Sequence, residues 1–273
     1  MGKLKSTLKR ILNPFTQKAG QKQYTTYETA LADCTEHGYE NEDIIEVVLQ
    51  KTQKYRDSLL SEGKPIRLSP TSAYSLCSLL ASLEALEIRV IDFGGACGAH
   101  YYLARAVLPP SYKLRWIVVE TPKMIQKAAE IFTNDELTFS SNLREAADSL
   151  RQIDLLHTSG TLQYVNNPCE YLRTLVSIHA THILFNRLNL TKGSQDIITI
   201  QESWLSCNGP GAMPSGVQDR KVRYPVVFLR ESTFYDAISK DYDVVMTFDE
   251  PGDVFSIESG PIFSVGLLAR RKR

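Results

Sequence analysis

Asp92, Gly94, Gly95 and Gly98 fall within seven residues, directly behind the apolar run 88–93 and directly ahead of a helix-patterned stretch. A strand that ends in such a turn and passes straight into a helix presents backbone N–H groups and a helix N-terminus at the carboxyl edge of a parallel sheet. Open α/β folds bind their cofactors there. The next apolar run ends in Val118-Val119-Glu120, 22 residues past Gly98. A carboxylate at that point can accept hydrogen bonds from both hydroxyls of a ribose. The two features together call for an adenosine-containing ligand.

Charge separates the ligand classes that fit this description. Asp92 stands two residues before the first glycine, where it repels a pyrophosphate and attracts a sulfonium or an ammonium. The dinucleotide pattern G-x-G-x-x-G also fails, because Ala96 and Ala99 occupy its second and third glycine positions. The turn therefore favours S-adenosylmethionine over NAD. The plain alternative is a glycine turn that serves only strand-to-helix packing.

Methyl transfer from such a cofactor is an in-line displacement, so most of its rate comes from alignment in a dry cleft. Where the acceptor is a hydroxyl, a base adds about 100- to 10,000-fold. His157, at the carboxyl end of the apolar run 153–158, is the first candidate for that base. A strand-end histidine bonded to backbone is the equal alternative. Gln163 and Tyr164 follow the same strand and are candidates to line the acceptor, although a tyrosine there also suits packing. Arg187, beside Asn186 near the end of the next apolar run, is a cation next to a sulfonium site. It either meets a phosphate or carboxylate on the acceptor or is a solvated charge. His100, in the first turn of the helix after the glycines, is placed to touch the methionine carboxylate of the cofactor or to sit at the surface. His179 and His182 lack metal-ligand spacing, and Trp204 reads as a clasp on a loop. The five cysteines, Cys34, Cys77, Cys97, Cys169 and Cys207, form no CxxC or Cys/His pattern, so no metal site is expected and reduced thiols in the cytoplasm are.

The elements that must hold these residues follow from periodicity. Apolar residues at three- and four-residue intervals predict helices over 41–60 and 71–86, separated by a turn at 63–70. Strand and helix patterns then alternate from residue 88 to residue 188, which predicts a parallel sheet with right-handed crossovers. Residues 189–225 carry Gly193, Gly209, Pro210, Gly211, Pro214, Gly216 and Pro225 and read as a long irregular insertion. A helix over 231–239 and two strands over 243–248 and 262–268, joined by a turn at 250–252, close the sheet as an antiparallel hairpin. At the other end, residues 1–27 hold six basic side chains and no acid, with Leu4, Leu8, Ile11, Leu12 and Phe15 at helical spacing. That is a basic amphipathic segment suited to peripheral membrane contact through residues 1–23, or a solvated terminus. With Lys+Arg and Asp+Glu equal at 31 each, no overall field draws the chain to nucleic acid. No apolar run reaches membrane-spanning length and no signal-peptide core follows the N-terminus.

Residues 90–98 resemble motif I of the class I S-adenosylmethionine-dependent methyltransferases, with Ala96 in place of the usual middle glycine. Glu120 matches the acidic residue that follows the second strand in that family. Ser141 and Asn142 match the loop that flanks the adenine, and 153–165, followed by Pro168, resembles the fourth-strand motif. The whole chain, including the helix start at 39–45 and Arg223-Tyr224-Pro225, is similar to a group of proteins read as methyltransferases and encoded near surface-polysaccharide genes. The resemblance implies a Rossmann-like α/β fold with a mostly parallel seven-stranded sheet, an antiparallel last strand and added N-terminal helices. It divides the chain into a basic segment (1–27), a helical region (28–87) and a methyltransferase domain (88–273). It also implies a small or carbohydrate-linked acceptor and transfer to oxygen. Two other readings stay open: an NAD-dependent oxidoreductase on the same strand-turn-helix plan, and a non-catalytic module that docks partners through its basic segment.

Overall fold

The computed structural model describes residues 18–34, 40–61, 71–83, 85–250, 256–257 and 260–273. The amphipathic stretch of residues 1–17 and the turn at 63–70 lie outside these residues. The elements in chain order are β1 (Lys18–Gln23), α1 (Tyr27–Ala32), α2 (Glu42–Leu60), α3 (Thr71–Ser82), β2 (Glu87–Phe93), α4 (Ala99–Val107), β3 (Lys113–Val119), α5 (Pro122–Phe132) and β4 (Leu137–Ser140). They continue with α6 (Leu143–Leu150), β5 (Leu155–Ser159), α7 (Pro168–Ser177), β6 (His182–Thr191), β7 (Ile197–Trp204), β8 (Lys221–Arg230), α8 (Glu231–Ser239), β9 (Tyr242–Asp249), β10 (Ser256–Ile257) and β11 (Gly260–Arg271).

The central sheet runs β4-β3-β2-β5-β6-β11-β9. β4, β3, β2, β5 and β6 are parallel, and β11 lies antiparallel between β6 and β9. This is the Rossmann-like plan expected from the sequence, antiparallel last strand included. Helix starts are fixed by side chains that capture free backbone N–H groups. Thr121 caps α5 with Pro122 at its first position, Asn142 caps α6, and Asn167 caps α7 ahead of Pro168.

The two faces of the sheet bury separate cores. Val90, Trp116, Val118, Leu155 and Leu184 pack with α2, α3, α4 and α5 on one face. Ile91, Ile117, Leu156, Ile183 and Phe185 pack with α6, α7 and α8 on the other. The alternation along each strand assigns the polar residues as well. Asp92, His157 and Asn186 continue the rows Val90, Leu155 and Leu184, so they sit at the carboxyl edge on the α3–α4 side.

Two expectations are corrected. Residues 189–225 are not an irregular insertion. β6 runs on to Thr191, β7 and β8 pair antiparallel from Ile197↔Phe228 to Trp204↔Lys221, and the glycines and prolines of 209–216 form only the turn between them. β6 pairs β8 in parallel at Leu190↔Leu229 and Thr191↔Arg230, beyond the last β5–β6 pair, Ser159↔Asn186. β11 holds the other side of β6 as far as Thr191, so β8 lies on the β5 side and carries a second sheet past the carboxyl edge of the first. The stretch 1–23 assigned to membrane contact also includes a strand, because Lys18–Gln23 form β1, the outer strand of that second sheet. Among the described residues no helix is long and apolar enough to cross a membrane.

Candidate active site

The glycine turn delivers the backbone that the sequence called for. Gly94 and Gly98 have φ of +72° and +79°, in the left-handed region that glycine enters without cost. A Cβ on Gly94 would run into the Thr161 side chain, and one on Gly95 would run into the Asp92 carboxylate. Ala96, at the middle glycine position, also adopts a left-handed φ of +50°. Gly98 opens α4 with no side-chain cap, so the first N–H groups of this helix remain available at the edge.

Glu120 stands where expected, at the end of β3, but it is tied to the turn rather than free of it. Oε1 accepts from Ala96 N–H at 3.1 Å and Oε2 from Thr121 N–H at 2.8 Å. Burial raises its carboxyl above the usual range, the nearby Asp92 charge adds to that, and the two N–H groups oppose it. Each oxygen keeps a further lone pair for a ligand hydroxyl. Past β4, Asn142 is a helix cap, its Oδ1 accepting from Arg144 N–H at 2.9 Å and Glu145 N–H at 3.2 Å, while Ser141 is exposed beside it.

Asp92, expected to face the cofactor, is enclosed instead. It has no exposed surface, and its oxygens meet His157 Nδ1 at 2.9 Å and His100 Nδ1 at 3.0 Å. Burial works against its charge, but the two imidazoles outweigh burial and hold the carboxyl below the usual range. The charge of Asp92 therefore acts on the cleft through its field alone. His157, the expected base, is 1% exposed and has both ring nitrogens engaged, Nδ1 by Asp92 and Nε2 by Asn186 Oδ1 at 3.1 Å. It offers no lone pair to an acceptor, and burial lowers its pKa despite Asp92. His100, a quarter exposed, has no hydrogen bond at Nε2 among the described residues and stands at the rim.

On the other side of β5, Arg187 has a left-handed φ of +50°. Its Nε and Nη2 donate to Ser159 Oγ and O, both at 3.0 Å, and its guanidinium lies over Gly160. The side chain is exposed and forms no ion pair among the described residues. Gln163 Nε2 donates to Arg187 O at 3.2 Å, and Tyr164 OH donates to Gln201 Oε1 of β7 at 3.1 Å. The structure thus brings Gln163, Tyr164 and Arg187 together beneath the second sheet. Away from the site, His179 lies before β6, at the far edge, and His182 is the first residue of that strand. The residue that sequence reading missed is Glu250, which it took for a turn. It is 7% exposed, and Oε1 accepts from Asn186 Nδ2 at 3.1 Å and Arg187 N–H at 3.3 Å.

No family model and no curated protein matches the chain. Solved structures do. The N-terminal domain of EvdMO1 with SAH bound is 14% identical, over 82% of this chain and 97% of that one, with a TM-score of 0.46. The CcbJ methyltransferase from Streptomyces caelestis is 10% identical over 83% and 98%, with a TM-score of 0.48. The 1,6-didemethyltoxoflavin-N1-methyltransferase of Burkholderia thailandensis is 10% identical over 94% and 95%, at 0.44. Likenesses of this size leave the chemistry to be argued from this chain's own residues.

Proposed function

We propose that this protein is an S-adenosylmethionine-dependent methyltransferase acting on a hydroxyl of a small or carbohydrate-linked acceptor. The observation that carries the reading is the pairing of the glycine turn with Glu120 at the carboxyl edge, joined by the Ala96 N–H bond. The uncapped start of α4 is suited to the methionine carboxylate and Glu120 to the ribose hydroxyls. Glu120 and Glu250 supply a negative edge against a cationic cofactor, whereas a pyrophosphate meets repulsion there. The cofactor brings the methyl group on its sulfonium.

The chain's own residues supply alignment rather than a base at His157. Ser159 holds the Arg187 guanidinium in place and, among the described residues, no carboxylate pairs with it, which supports an acceptor bearing a phosphate or carboxylate. Tyr164 and Gln163 line the same corner. The carbohydrate assignment rests on the sequence resemblance.

Calorimetry with S-adenosylmethionine and S-adenosylhomocysteine tests the reading. Wild-type protein is expected to bind both, and Glu120→Ala to lose at least about tenfold in affinity, the worth of one or two hydrogen bonds to a charged group. Absence of binding, or binding that Glu120→Ala leaves unchanged, sinks the proposal. NADH fluorescence enhancement on mixing would revive the oxidoreductase alternative.

A further inference from the structure

Five polar side chains form one hydrogen-bonded chain across the carboxyl edge: Glu250 after β9, Asn186 on β6, His157 on β5, Asp92 on β2 and His100 on α4. Its polarity can be read from the Glu250 end. Arg187 N–H donates to Glu250 Oε1, so that oxygen is an acceptor. The Asn186 amide accordingly points Nδ2 at Glu250 Oε1 and at Ser75 Oγ, 3.1 and 2.9 Å away, and turns Oδ1 to His157 Nε2 at 3.1 Å. An amide oxygen only accepts, so Nε2 carries the hydrogen.

The neutral ring of His157 then has its lone pair on Nδ1, and Nδ1 faces an oxygen of the Asp92 carboxylate at 2.9 Å. Two acceptors at that distance need a positive charge between them. His100 Nδ1 stands 3.0 Å from the other Asp92 oxygen, and the ligand atoms of all three residues lie within 4.8 Å of one another. Donors bonded to one ion at about 2.1 Å lie at most about 4.2 Å apart, so each nitrogen and the carboxylate oxygen it faces are close enough to share an ion, and a small inward shift of the two imidazoles completes the set. The rest of the chain has the form of an outer shell, with the far nitrogen of a ligating histidine donating to an oxygen that is itself fixed by a carboxylate.

We propose that Asp92, His100 and His157 bind one first-row divalent transition-metal ion, with Asn186 and Glu250 orienting the His157 ring. Two imidazoles and a carboxylate suit zinc, cobalt, nickel or iron better than magnesium or calcium. The partly exposed His100 gives the ion a path from the cleft, while Asp92 and His157 form the buried floor. The site stands independently of methyl transfer.

The full chain, stripped with a chelator, is titrated with Zn2+ by calorimetry and with Co2+ by visible absorption. One ion per chain is expected, with cobalt bands that indicate nitrogen donors. His100→Ala, at the rim and tolerant of substitution, is expected to weaken Zn2+ binding at least about 100-fold, and Asn186→Ala about 10- to 100-fold. His179→Ala, at the far edge of the sheet, is expected to change nothing. No Zn2+ binding by the stripped wild type, or binding unaltered in His100→Ala, overturns the proposal. So does nitrogen NMR in excess Zn2+ that finds both His157 nitrogens protonated, because the positive charge is then a proton. S-adenosylmethionine binding is measured on the same samples. Its absence with Zn2+ binding intact refutes the methyltransferase reading and leaves the metal site standing.

Discussion

Ala96 sits in a left-handed conformation at the one motif position where a glycine is usual. An L-residue there costs about 1–2 kcal/mol, of which glycine's extra freedom in the unfolded chain offsets about 0.5–1 kcal/mol. Ala96→Gly is therefore expected to raise the melting temperature by about 1–3 °C, read by calorimetric scanning. A fall would mean that the methyl group packs better than its backbone strains. At this scale the sequence was legible where function follows the chain. Asp92, the glycines and Glu120 declare themselves by spacing along two strands and a turn. What surrounds Asp92 was not legible, since His157 and Asn186 lie 65 and 94 positions further on and meet it only through strand register. Glu250 was hidden for the same reason, because nothing in a residue before Pro-Gly announces that it folds back onto β6. At Arg187, the proposed anion contact predicts that Arg187→Ala weakens the binding of inorganic phosphate by at least about tenfold while S-adenosylhomocysteine binding holds. Equal phosphate binding by both proteins would return Arg187 to the status of a solvated charge.

Between elements, the parallel core was readable because apolar runs and helical periods alternate at regular length. The second sheet was not, and the reason lies in the distribution of Gly and Pro. Gly209, Pro210, Gly211, Pro214 and Gly216 belong to one connecting turn, while Pro225 lies within β8, opposite Ile200. β8 meets β6 only at Leu229 and Arg230, so at Pro225 one side of the strand carries no ladder and a missing N–H is tolerated. This connection is held to the domain by Lys51 of α2, which is 1% exposed and whose ammonium donates to Ser206 O and Asn208 O, both at 2.7 Å. Burial lowers its pKa to about 8, which still leaves the ammonium form predominant at neutral pH. Lys51→Met keeps the packing and strands both acceptors, at a cost of about 2–3 kcal/mol. A drop of roughly 4–10 °C in melting temperature is expected. A shift below about 1 °C would show that the turn stands without the lysine.

For the molecule as a whole, the segment of residues 1–27 holds a strand of the fold, β1. β1 pairs with β7 at Lys18↔Glu202, Ala19↔Gln201 and Gln23↔Thr199, and Thr199 Oγ1 donates to Lys22 O at 2.7 Å. The strand therefore belongs to the sheet that overhangs the site, and only residues 1–17, with Lys3, Lys5, Lys9 and Arg10 and no acid, are left for the proposed membrane contact. Deleting residues 1–23 removes β1 and turns β7 into an unpaired edge, a ready template for association between chains. Deleting residues 1–17 does neither. The longer deletion is expected to melt roughly 5–10 °C lower, from two or three lost ladder bonds, and to aggregate on standing, while the shorter one melts with the wild type. Sedimentation with anionic vesicles is then meaningful only for the shorter deletion. Near an anionic surface each basic side chain contributes about 1 kcal/mol, so four of them predict partitioning that is lost on deletion and suppressed by salt. Equal sedimentation of wild type and the shorter deletion would end the membrane proposal. It would leave β1 as the functional part of the N-terminus, closing the edge of the sheet above Tyr164 and Arg187.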